Sequence, residues 1–120
     1  MTISYEVDRD NRILHVIVTA PTVIGDYQSI MPSMIREISD CGTISLLLEV
    51  RRFLSDEGYD GHDLGFYFLN QIKNNVARLA IACPKEFHGE AAELMQLIQN
   101  HGRPAEIFQS IGDAREWLSK

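Results

Sequence analysis

Three observations predict a single α/β domain with a mixed, mostly parallel sheet, in which an N-terminal β-hairpin is followed by α-β-α-β-α-β-α. Apolar residues near the start recur every second position, further on they recur at helical spacing, and the two rhythms then alternate to the end. Two short segments, Ile44 to Val50 and Leu79 to Cys83, are apolar on both faces, as strands covered by helices on each side must be. No linker, repeat or low-complexity stretch divides the 120 residues, so residues 1–120 are expected to form one domain. A chain of that length hides roughly two-thirds of its unfolded surface, which is enough for one ordinary core.

Ile3, Tyr5 and Val7 alternate with Ser4, Glu6 and Asp8, the pattern of a strand with one wet face. Asp8-Arg9-Asp10-Asn11 supplies turn chemistry before Ile13-Leu14-His15-Val16-Ile17-Val18, so the two strands read as a hairpin. Gly25-Asp26 opens a helix with Asp26 as N-cap, and Tyr27, Ile30, Met31, Met34, Ile35 and Ile38 form its stripe. Pro32 interrupts that stripe and predicts either a kink at Gln28 or a later start. Gly42 ends the helix in the left-handed conformation that a side chain resists.

Ile44 to Val50 is the expected central strand, since Leu46, Leu47 and Leu48 leave no polar face. A long polar loop covers Arg51 to Asp63, and Leu64, Tyr67, Phe68, Ile72 and Val76 mark the next helix. The strand Leu79 to Cys83 follows at once. Pro84 suits the first position of a helix whose stripe is Phe87, Ala91, Leu94, Met95 and Ile98, closed by Gly102. Ala105-Glu106-Ile107-Phe108 is a short last strand. Ser110 with Asp113 forms a capping-box variant ahead of a final helix anchored by Ala114, Trp117 and Leu118. Alternation of this kind implies parallel strands joined by right-handed crossovers.

Composition narrows the function. With 45% apolar and 23% charged residues, neither disorder nor a coiled coil is indicated. No apolar run approaches the roughly 20 residues of a membrane span, and the N-terminus lacks the basic start and apolar run of a secretory signal, so a cytoplasmic location is expected. A net charge of −6 opposes loose binding to nucleic acid or anionic membrane. Cys41 and Cys83 are read as inert packing thiols rather than a metal site or a disulfide.

Taken in order, the hairpin, the stretch Asp26-Tyr27-Gln28-Ser29-Ile30-Met31-Pro32, the strand Leu46 to Phe53, the strand Arg78 to Ala82 and the ending Ala114-Arg115-Glu116-Trp117-Leu118 resemble the SpoIIAA-like proteins of the STAS superfamily. The resemblance covers nearly the whole chain. It implies a helix-flanked sheet shared with anti-sigma-factor antagonists and, more remotely, with lipid-binding Sec14-type domains. Phosphorylation-switched antagonists carry Asp-Ser-Ser-Gly-Leu-Gly at a helix start, with the first serine as acceptor. The corresponding stretch here is Asp60-Gly61-His62-Asp63-Leu64-Gly65, in which Gly61 stands at the acceptor position and has no hydroxyl to phosphorylate.

The loop Ser55 to Asp63 holds four carboxylates and a histidine within nine residues, but their order does not fit the calcium-loop spacing. Asp60 or Asp63 is better read as a helix cap. His62 beside Asp63 lacks the geometry of an oriented base, because sequence neighbours do not face each other on a helix. His15, on an apolar strand, reads as a hydrogen-bonded sheet residue, and His88 and His101 as residues of exposed helix ends. Glu49, at the end of an apolar strand, needs a partner if buried, and Arg51 or Arg52 is the expected one.

Ligands of parallel sheets gather past the strands' C-terminal ends. The expected interaction surface is therefore Glu49, Arg51, Arg52, Ser55, Asp60, Gly61, His62 and Asp63, with no catalytic residues, no metal and no cofactor. The expected function is a non-enzymatic regulatory or protein-interaction module whose partner meets this loop. The alternative is a small apolar or lipid-like ligand held between helices and sheet, suggested by the methionine-rich helices and the Sec14 kinship. Self-association through a sheet edge, the first or the last strand, would give a homodimer.

Overall fold

A computed structural model describes residues 3–19, 24–51 and 68–120. Strands β1 (Ile3–Asp8), β2 (Ile13–Val18), β3 (Ile44–Val50), β4 (Val76–Ala82) and β5 (Ala105–Phe108) form one sheet in the order β1-β2-β3-β4-β5. The hairpin pair is antiparallel and every later pair is parallel. The α/β class, the mixed sheet and the central place of Ile44–Val50 are therefore as the sequence implied. Helix α1 (Ile24–Cys41) joins β2 to β3, the helical residues 68–72 (α2) precede β4, α3 (His88–Asn100) joins β4 to β5, and α4 (Ile111–Leu118) follows β5.

Side-chain parity sorts the two faces. Ile3, Leu14, Val16, Leu46, Leu48, Leu79, Ile81 and Ala105 point to one side, where Met31, Met34 and Ile38 of α1, Leu69 and Ile72 of α2, and Ala91, Leu94 and Ile98 of α3 complete the main core. Ile13, Leu47, Ala80 and Ala82 point to the other side, where α4 alone lays down Ala114 and Leu118, with Trp117 and Phe108 at the rim. Trp117 also stacks under Arg78, 4.7 Å from the ring centre, and accepts that guanidinium at its carbonyl. Three helices on one face of a sheet whose strands follow chain order require the same hand of crossover each time.

The element boundaries differ from the sequence expectation in four places. Helix α1 begins at Ile24, two residues before Asp26, so Asp26 lies inside the helix and does not cap it. It continues through Pro32 rather than starting late. Pro32 and Gln28 are both exposed, so the Gln28 carbonyl, which a proline cannot engage, faces water. Ile35 was expected on the buried stripe and is 39% exposed, because the packing face is narrower and centres on Met31, Met34 and Ile38.

Val76, expected to close a helical stripe, instead opens β4 after a 3-10 turn over Lys73–Asn75. Its fully buried side chain is equally consistent with either rhythm, and burial alone could not decide it. Pro84 does not start α3. It sits extended, at φ −57° and ψ 148°, ahead of a 3-10 turn over Lys85–Phe87, and the helix begins at His88. The chain stops matched expectation better: Gly42 and Gly102 take positive φ, and Ser110 accepts from the backbone N–H groups of Gly112 and Asp113. In the hairpin turn, Asp8 accepts from both the side chain and the backbone of Asn11, which holds its carboxyl below the usual range.

Candidate functional site

The polar residues that interrupt the apolar strands meet one another. His15 of β2 and Glu49 of β3 lie on the α4 face, one residue pair apart diagonally, since Leu47 is opposite His15 and Ile17 is opposite Glu49. Helix α4 crosses that face on Ala114 and Leu118 and thereby brings Arg115 over the imidazole. Arg51, the first residue past β3, folds back to the same carboxylate.

The contacts fix the proton positions. Arg115 sits 2.9 Å from His15 Nδ1, and a guanidinium can only donate, so Nδ1 is the acceptor. The ring proton therefore lies on Nε2 and is donated to Glu49 Oε1 at 2.9 Å. Arg51 donates from Nε and Nη2 to Glu49 Oε2, at 3.2 and 3.0 Å. The result is a directed chain, Arg115 to His15 to Glu49, with Arg51 closing the far end. The chain runs from interior to surface: the side chains of His15, Glu49 and Arg51 are 9%, 17% and 62% exposed.

Both imidazole nitrogens are engaged. With Nδ1 facing Arg115 and Nε2 facing Glu49, the ring is held in place between two partners. Glu49 is satisfied on both oxygens, which removes the cost of placing a carboxylate among leucines.

No family model, curated protein or solved structure matches this chain. Of the residues that the sequence marked, Glu49 and Arg51 are in contact. Arg52, Ser55, Asp60, Gly61, His62 and Asp63 lie outside the described residues. His15 and Arg115 complete the cluster, and neither had been marked as part of the surface. His15 carried a signal, because it and Glu49 are each the ionisable interruption of an apolar strand and the two strands are neighbours. Arg115 carried none, since its place depends on how α4 crosses the sheet.

Past the ends of β3, β4 and β5 lies an open hollow of about 290 Å³, to which these strands contribute Arg51, Cys83 and Gln109 among others. By contrast, a void between α1 and the hairpin measures about 10 Å³, room for at most one water. Among the described residues no group of three or more histidine, cysteine or acidic side chains could hold a metal ion, and no helix is long and apolar enough to cross a membrane. His88, expected on an exposed turn, is half-buried with Nε2 donating to the Cys83 carbonyl at 3.2 Å.

Cys83 is 2% exposed, and burial, helped by the nearby charge of Glu90, raises its thiol from an ordinary 9.0 to about 11. At mildly alkaline pH it should hold roughly a hundredfold less thiolate than a free cysteine. Cys41, only partly buried, is therefore expected to react first with iodoacetamide in the native state, and intact-mass analysis with peptide mapping would show one modification there. The same shift sets a pH dependence. Above pH 9 the unfolded thiol ionises while the folded one keeps its proton, so this group's contribution to stability falls as pH rises towards about 11. Equal native labelling of both cysteines would contradict the burial of Cys83.

Proposed function

We propose that the chain is a non-enzymatic regulatory or protein-interaction module of the SpoIIAA-like, STAS type, acting in the cytoplasm and without the serine phosphorylation switch. The element order supports this reading, because a hairpin followed by parallel β-strands and crossover helices is the arrangement that the resemblance implies. Gly61 at the acceptor position supports the loss of the switch.

The observation that carries the proposal is Arg51. It is a largely exposed guanidinium at the C-terminal end of the central strand, held in place by Glu49, which is itself held by His15. A charge anchored in this way loses little conformational freedom on meeting a partner, which is what an interface residue requires. The partner surface then continues into the segment containing Arg52, Ser55, Asp60, Gly61, His62 and Asp63.

Affinity capture from native lysate tests the reading, using wild type, Arg51→Glu, an Asp60→Ala/His62→Ala double variant, and Gln96→Ala on exposed α3 as a control. A protein retained by wild type and by Gln96→Ala, but lost with Arg51→Glu and with the double variant, is the expected result. Capture unaffected by either site variant would remove the strand end and its following segment from the interaction.

A further inference from the structure

The chain after β4 turns to the face carrying α1, α2 and α3, whereas the chain after β5 turns to the opposite face, which carries α4. β4 and β5 are adjacent and parallel. Two neighbouring strands whose following segments part to opposite faces leave a crevice outside their C-terminal ends, and open α/β sheets place ligands in such crevices. The hollow of about 290 Å³ lies there, between the end of β4 at Cys83 and Pro84, the link from β5 to α4 at Gln109 and Ile111, and the end of β3 at Val50 and Arg51.

The lining has two halves. Val50, Cys83, Pro84 and Ile111 form an apolar wall, and Cys83 keeps its proton at neutral pH, so the thiol adds no negative charge. Arg51 supplies the polar end. Its Nε and one Nη2 hydrogen are spent on Glu49 Oε2, and no hydrogen bond to another described residue engages the Nη1 edge of the fork. Glu49 also lines the hollow, but its single negative charge stands against two guanidiniums, Arg51 directly and Arg115 through the neutral His15 ring, so the cluster keeps a positive excess. The amide of Gln109 makes no hydrogen bond to another described residue, and can donate or accept within the hollow.

From this geometry we infer that the β4–β5 crevice binds a small organic carboxylate. Its carboxyl group meets the Nη1 edge of Arg51 and the Gln109 amide, and its apolar body lies against Val50, Pro84 and Ile111. The volume is at the lower limit of ligand pockets, so the occupant is smaller than a typical drug-sized molecule. The site shares Arg51 with the proposed interaction surface, but it does not rest on that reading. It requires no partner protein, and it differs in place and chemistry from an apolar ligand held between helices and sheet.

Titration of isotopically labelled protein with naphthoate, followed by amide NMR, tests the inference. Naphthylmethanol serves as the uncharged control and inorganic phosphate as the anion without an apolar body. Saturable shifts confined to residues 49–51, 82–83 and 109–111 are expected with naphthoate, with both controls at least roughly tenfold weaker, the difference a charge-assisted pair supplies. Arg51→Gln should weaken naphthoate binding by about the same factor and Arg51→Lys should restore part of it, since lysine keeps the charge and loses the fork. Several results would overturn the assignment: no shifts in folded wild type at millimolar naphthoate, shifts centred elsewhere, equal binding of the alcohol, or binding unchanged in folded Arg51→Gln.

Discussion

Truncating Leu46 to alanine is expected to lower the unfolding free energy by about 2–5 kcal/mol, the largest loss of any single change considered. Leu46 is fully buried in the central strand, with Leu14 opposite it in β2 and Leu79 opposite it in β4, and it faces the layer formed by α1, α2 and α3. Strands pinned on both sides cannot close inward, so most of the vacated volume remains as a cavity and its lining loses dispersion contacts outright. Domains of this size are commonly stable by only about 5–15 kcal/mol, so the variant should melt far below wild type. Urea unfolding followed by far-UV circular dichroism measures the change. A loss under about 1 kcal/mol would mean that Leu46 does not sit at the centre of the core.

The second large effect belongs to the His15–Glu49 pair. Replacing Glu49 by alanine leaves the His15 Nε2 proton without its acceptor beneath α4, and a loss of roughly 2–3 kcal/mol is expected. Arg51→Ala removes a largely exposed ion-pair partner from the same carboxylate and should cost less than about 1 kcal/mol. Two double-mutant cycles sharing Glu49 separate these contributions. Coupling between His15 and Glu49 should exceed coupling between Arg51 and Glu49 by a clear margin, because the first contact is shielded from water and the second is not. Imidazole nitrogen chemical shifts provide an independent readout, with the proton expected on Nε2 and the Nδ1 resonance that of an unprotonated acceptor. Equal couplings, or a proton on Nδ1, would break the directed chain from Arg115 to Glu49.

The architecture was legible because blocks of apolar residues change rhythm, and parity along a strand decides the face each side chain meets. Leu46 and Leu48 go to one layer and Leu47 to the other, as an all-apolar strand requires. Boundaries were less legible where one residue satisfies two rhythms. Val76 fits the tail of a helical stripe and the head of a strand equally, and Pro84 is tolerated both at a helix start and in the extended residue before a turn. The partnership of Glu49 was half visible: Arg51 is two residues away along the chain, whereas His15 is 34 and its relation to Glu49 depends on the β2–β3 register. Arg115, 100 residues from His15, becomes its partner only through the path of α4 across the sheet, a tertiary fact that no local pattern encodes.

The order of the strands in the sheet has a consequence for how the molecule assembles. Each strand hydrogen-bonds only to its predecessor and successor in the chain, so none has to be threaded between two that are already joined. During synthesis the hairpin can close as soon as it leaves the ribosome, and every later strand extends a growing edge that is already in place. The exception is α4. It is the only described helix to cover the second face, so Leu47 and Ala80 remain uncovered until the residues that follow β5 have been made, and the burial of His15 beneath Arg115 comes after the sheet has formed.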